Sequence, residues 1–236
     1  MRVYRSRRDL ELEVVDYSKR LAQRGWVANH DGNITVRVDE DLFLATPTAF
    51  AKDQVERESL LYVNGRAEKV SGRTRPFSEL NLHLFAYRTR PDIAVVLHAH
   101  PTHACAFAVN GKPVLSTMLA ESVVSLGAEI PMVSYARPKS PESTQVLTRA
   151  LRESDVLVME NHGVLAVGPD LETAYLRLEL VEHLATIQFK ATQLGGVRTI
   201  PTEDVDTLLE ARNKAGLGFP RKALDFGRGQ RRLRSI

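Results

Sequence analysis

Pro76–Ala104, PFSELNLHLFAYRTRPDIAVVLHAHPTHA, is the stretch where helix and strand begin to alternate. Ser78 can cap a helix that runs to about Arg90, Pro91 ends it, and Ile93–His98 is an apolar strand rich in β-branched residues. Toward the N-terminus, Leu10, Val14, Tyr17 and Leu21 recur three or four apart and predict a helix over Arg7–Arg24. Ile34–Val38 and Leu42–Ala45 read as a hairpin around Asp39–Asp41. Leu61–Val63 and Arg66–Val70 read as a second one around Asn64-Gly65.

Toward the C-terminus, the pattern predicts a helix over Thr102–Val109, a strand around Pro131–Tyr135 and a helix over Pro141–Arg152. Strands Val156–Glu160 and Val164–Val167 follow, and a long helix over Leu171–Leu194 ends at Gly195-Gly196. The sum is an α/β layered domain with a mixed, largely antiparallel sheet. No internal repeat or inter-domain linker interrupts it. The main body is expected over 1–200, with a C-terminal helix and basic tail over 201–236.

The pI near 9.1 invites a nucleic-acid partner, so the placement of charge matters. Residues 1–10 hold four arginines against one aspartate, and residues 221–236 hold six lysines or arginines against one aspartate. The whole chain carries only +3, so the body between these ends is net negative. No stretch interleaves basic and aromatic residues, and no nucleic-acid partner is expected. No run of about 18 apolar residues is present to cross a bilayer. The start, MRVYRSRRDL, has no apolar segment of the secretory kind. A soluble, cytoplasmic protein without membrane partners is expected. The single cysteine, Cys105, cannot form an internal disulfide and sits in an apolar run, as a buried inert thiol would.

The chemistry concentrates at His98-Ala99-His100, at the end of an apolar strand. Residues i and i+2 of a strand share a face, so both imidazoles can meet one ion. Alone, such a pair is more often two satisfied histidines than a ligand set. His162 strengthens it, because it follows the buried-type strand Val156–Glu160 and precedes Gly163, which permits a sharp turn. Three neutral imidazoles with one open position make a catalytic zinc arrangement. Glu79 opens the helix before the HxH strand, with His83 one turn on and on the same face. A carboxylate there is usually only a dipole partner, but beside a metal it becomes a general base or a reversible fourth ligand. His103 and His183 read as packing or pocket residues.

Taken together, GWVANHDGNITVRV, TPTAF, PFSELNLHLFAYRTRPDIAVVLHAHPTHA and ENHGVLAVG resemble, in order and spacing over residues 8–195, the class II aldolase/adducin family. The resemblance implies a three-layer α/β/α domain with a central mixed, largely antiparallel sheet. It implies a homotetramer with sites between neighbouring subunits. It further implies zinc, or alternatively manganese, cobalt or iron(II), on His98, His100 and His162, with Glu79 as catalytic acid/base. The implied reaction is carbon–carbon cleavage of a hydroxy-carbonyl compound or sugar phosphate through a metal-stabilised enediolate.

In phosphate-using members the anion is held at positions matching Asn33, Thr46, Ala49 and Phe77-Ser78, so Asn33, Thr46 and Ser78 are the substrate-binding candidates. Ala49 stands where the family often has glycine, and Phe77 where it has a hydroxyl donor. The family's second proton donor, a tyrosine, matches Thr117, and Glu121 is the candidate to replace it. These departures keep a decarboxylase, dehydratase or epimerase acting on a carboxylated substrate open beside the aldolase. Lys52, Arg73 and Lys139 are loop cations able to bind such a carboxylate, although each is more often merely solvated. A non-catalytic adducin-like scaffold is the reading from another class, and the intact histidine set argues against it.

Overall fold

Runs of β-branched and aliphatic residues make the strands, and amphipathic segments between them make the helices. The computed structural model describes residues 6–135, 141–219 and 221–224. Its first half contains α1 (Arg7–Gln23), β1 (Asn33–Asp39), β2 (Leu42–Ala45), β3 (Leu61–Val63), β4 (Lys69–Ser71), α2 (Leu80–Thr89) and β5 (Val95–Ala99). Then follow α3 (Thr102–Asn110), α4 (Ala120–Leu126), β6 (Met132–Val133), α5 (Pro141–Glu153), β7 (Val156–Met159), β8 (Val164–Gly168), α6 (Leu171–Gln193) and α7 (Thr202–Lys214). The strands form one eight-stranded sheet in the order β4-β3-β2-β1-β5-β8-β7-β6. The β6–β7 pair is parallel, whereas β1–β2, β1–β5, β2–β3, β3–β4 and β7–β8 are antiparallel. The α/β class and the mixed sheet are as expected.

By contact density the chain divides into two compact units, one of Met1–His100, Val167–Tyr175 and Ala223–Ile236, the other of Pro101–Ala166 and Leu176–Lys222. In the first, Ser6 caps α1 by accepting the Asp9 N–H, and Leu10, Val14, Tyr17 and Leu21 form its buried stripe. Tyr17 and Trp26 both pack on the ring of Tyr175, at 5.3 and 5.5 Å between centroids. The β1–β5 register places Asn33 opposite His98 and Thr35 opposite Val96. One face of α2 lies on that part of β1. Thr35 Oγ1 is 2.9 Å from both His83 Nδ1 and the Tyr87 hydroxyl, and Tyr87 also donates to the Thr35 carbonyl.

Two local expectations are corrected here. The second hairpin does not turn on Asn64-Gly65: its partner strand begins at Lys69, three residues later than the spacing predicts. The Asn64 side chain accepts the N–H groups of Arg66 and Glu68, and Ala67 takes a left-handed conformation with φ 64°. That side-chain turn enlarges the loop to Asn64–Glu68. Ser78 does not cap α2, which starts at Leu80 with Glu79 in the capping position. A preceding turn, in which Leu80 N donates to the Phe77 carbonyl, uses up those residues. Phe77, buried edge-on against His83, holds the entry to the helix.

In the second unit, the start of β7 is held by charge. Asp155 is fully buried, with Arg177 and Arg221 at 2.8 and 2.6 Å and Arg212 at 3.6 Å. Arg212, on α7, also donates to the carbonyls of Val124 and Ser125 at the end of α4. One carboxylate thus gathers cations from α6, α7 and residue 221. Removing it leaves buried guanidinium groups without their counter-charge, a change that costs about 3–5 kcal/mol. Asp155→Ala is expected to lower the unfolding free energy by that amount, seen as a lower urea midpoint at unchanged slope.

Candidate metal centre

The site is carried by strand ends whose interiors are apolar. Val95, Val96 and Leu97 are wholly buried and bring His98 inside with them. His100 lies just beyond β5 and is held by its own N–H, which donates to the Trp26 carbonyl at 2.8 Å. The two imidazoles meet edge to face, with His98 Nε2 and His100 Nε2 3.0 Å apart. Tetrahedral zinc at about 2.05 Å from each nitrogen would set such a pair roughly 3.3 Å apart.

Glu79 Oε2 lies 3.6 Å from His98 Nε2 and accepts from the Asn33 side-chain amide at 2.9 Å. The Asn33 carbonyl oxygen is buried with no hydrogen-bond partner among the described residues, as an acceptor awaiting a ligand's hydroxyl would be. Below Glu79, His83 is fully enclosed, and burial together with the neighbouring His98 lowers its pKa to about 3. It is a neutral strut beneath the site.

His162 is presented by the tight turn between β7 and β8. Met159 N donates to the Gly163 carbonyl and His162 N to the Met159 carbonyl. The sharp turn is present as expected, and its left-handed residue is Asn161, with φ 54°. Asparagine tolerates that conformation, so the turn does not need the glycine for it. Ligand nitrogens of His98, His100 and His162 all lie within 4.8 Å of one another. Three neutral imidazole donors suit zinc, and also the neighbouring first-row divalent ions.

The other candidates divide. Pro47 bridges Pro76 and Thr48 N donates to the Arg75 carbonyl, so the Thr46–Ala49 loop and Phe77-Ser78 are neighbours. Ser78 is exposed. The Thr46 hydroxyl is buried and bonded to the backbone of Ile34, accepting at 3.0 Å and donating at 3.4 Å. Ala49 has φ 59°, a conformation natural to glycine, so the backbone there keeps a glycine-like form while carrying a methyl. Glu121 is exposed in the first turn of α4, and Thr117 sits in a 3-10 turn whose carbonyl accepts from Ile200 N. His103 is oriented by Glu182, which accepts its ring Nδ1–H at 2.8 Å and the N–H groups of His103 and Ala104. His183 is exposed on α6 and Arg73 on its loop, while Lys139 lies outside the described residues. Cys105 is half-buried and not fully buried as expected, and partial burial raises its thiol to about 11.

Asp31 was not singled out by sequence reasoning, and Lys52 was weighed only as a loop cation able to bind a substrate carboxylate. Asp31 Oδ2 lies 3.4 Å from His100 Nδ1. Lys52, weighed as a carboxylate-binding or merely solvated loop cation, is instead buried, with its ammonium donating to the carbonyls of His30 and Phe50. Its apolar neighbours Phe50 and Ala51 were the one available signal of burial.

An L-fuculose phosphate aldolase of Haemophilus influenzae is 29% identical over 80% of this chain and 87% of its own length. A 3-oxo-tetronate 4-phosphate decarboxylase of Pectobacterium atrosepticum is 26% identical over 75% of this chain and 82% of its own. Among solved structures, an L-fuculose 1-phosphate aldolase superposes with TM-score 0.77 at 26% identity, covering 86% of this chain and 95% of that one. The model of the class II aldolase and adducin N-terminal domain matches residues 12–189, most of the chain, which therefore belongs to that family.

Proposed function

We propose that this protein is a divalent-metal-dependent lyase, in the first place an aldolase, acting on a small hydroxy-carbonyl compound. The observation that carries this reading is the convergence of His98, His100 and His162 with Glu79 beside His98. The three histidines would hold the cation, zinc by preference, and the cation would polarise the substrate's adjacent oxygens. Glu79 would take or return the proton at the reacting carbon. Asn33 holds Glu79 in place through its amide and offers its free carbonyl oxygen to a substrate hydroxyl. Carrying the proton on Glu79 requires no charge on His83, which stays neutral.

A stripped and remetallated sample is expected to hold about one cation per chain, and His100→Ala and His162→Ala to lose it while remaining folded, as read by metal analysis and circular dichroism. Glu79→Gln is expected to lower turnover by about 100-fold or more with the metal retained. Full activity in that variant would remove Glu79 from its role.

A second reading, decarboxylation, dehydration or epimerisation of a carboxylated substrate on the same metal, is favoured by the phosphate positions. Phe77 turns a ring toward His83 where a hydroxyl donor would serve phosphate, and the Thr46 hydroxyl is spent on Ile34. The Ala49→Gly, Phe77→Ser double variant is expected to raise kcat/KM for sugar phosphates about tenfold relative to their non-phosphorylated, carboxylated counterparts, the worth of roughly one good hydrogen bond to a charged group. An unchanged ratio would show that these positions do not set the anion.

The proposed working form is a homotetramer in the cytoplasm, with sites completed by neighbouring subunits. Light scattering is expected to return about four times the chain mass of 26.4 kDa. Glu121, exposed on α4, is the candidate second acid/base within such an assembly.

A further inference from the structure

His100 has two ring nitrogens and the structure gives each a separate direction. Nε2 faces His98 Nε2, and Nδ1 faces the carboxylate of Asp31 at 3.4 Å. An imidazole beside a carboxylate keeps its hydrogen on the nearer nitrogen, which leaves the other as a lone-pair donor.

Asp31 is delivered by the short loop between Trp26 and β1. That loop folds back through Asp31 N donating to the Ala28 carbonyl, with left-handed residues at Asn29 and Gly32. A side chain at Gly32 would collide with Val27 and press on the His98 carbonyl at 3.2 Å, so the loop lies directly against the end of β5. Lys52 fastens it from the other side. Its Nζ donates at 3.1 Å to the His30 carbonyl, next to Asp31, and at 2.9 Å to the Phe50 carbonyl. Burial depresses the Lys52 ammonium to about 8, and the negative charge of Asp31 acts against that depression, which marks the two groups as electrostatic neighbours.

We infer that Asp31 is a positioning residue for the metal centre, holding His100 with Nε2 free to bind, and that Lys52 serves it by tying the Asp31 loop to the segment around Phe50. This rests on the metal-binding reading above. Asp31 is 45% exposed, so its effect belongs at the lower end of the 10- to 100-fold range typical of carboxylates behind metal-bound histidines.

The test uses the full chain, stripped of metal and titrated with zinc against a chromophoric chelator, beside thermal unfolding of the metal-free forms. Asp31→Ala is expected to weaken zinc binding about tenfold while the metal-free melting temperature stays put, since a merely structural role would move the latter. Asp31→Glu is expected to recover part of the loss. Lys52→Met is expected to weaken zinc binding in the wild-type background and to add nothing once Asp31 is alanine, because two residues acting through one contact are not additive. Wild-type zinc affinity in Asp31→Ala, with zinc lost in His100→Ala, would overturn the inference alone. Wild-type affinity in both variants would overturn the metal reading and the inference with it. An additive effect in the double variant would overturn the link between Lys52 and Asp31.

Discussion

The antiparallel register of β1 on β5 is the constraint from which the site follows. With Asn33 opposite His98, and Thr35 two residues on, the polar side chains of β1 fall on the face that α2 covers. The helix answers at the same pitch: Glu79 meets Asn33, and His83 and Tyr87 meet Thr35. Arg37 closes the row by donating to the Tyr87 carbonyl at 2.6 Å. A slip of one residue between β1 and β5 would turn Asn33 and Thr35 to the opposite face and leave buried hydroxyl, amide and imidazole groups without partners. The row is thus self-checking, since each polar group is affordable only because the next one is in place.

Charge is rationed within this row. His83 is kept neutral by burial, so the imidazole closest beneath Glu79 does not offer it a permanent counter-ion. Glu79 is held by an amide, a neutral donor, and it stands at a helix start without bonding the helix's own N–H groups. Such a carboxylate would suit the proton exchange proposed for it. Phe77 reinforces this economy, closing the edge of His83 with a ring where a polar residue would admit water.

Much of this was legible beforehand, and the failures have physical causes. Periodicity located α1, β1, β2, β5 and α6 to within a few residues, because their apolar stripes are long and face a continuous core. The HxH pair was readable because strand geometry alone puts both side chains on one side. Where a side chain overrode backbone preference, the reading slipped. Asn64 wrapped its own loop, and the turn at Phe77 displaced a capping serine. Asp31, and the buried setting of Lys52, were hidden for a different reason: their partners are a histidine 69 residues away and two backbone carbonyls, which no local pattern encodes.

The cluster on Asp155 bears on how the chain comes apart. A carboxylate shared by Arg177, Arg212 and Arg221 makes α6, α7 and the residues after α7 stakeholders in a single buried charge. Fraying of the last helix exposes that charge's imbalance at once, so α7 is bound to open with the start of β7 and not before it. Amide exchange along α7 then reports on the interior of the sheet, and a chain trimmed ahead of Arg212 would lose part of that buried charge cluster.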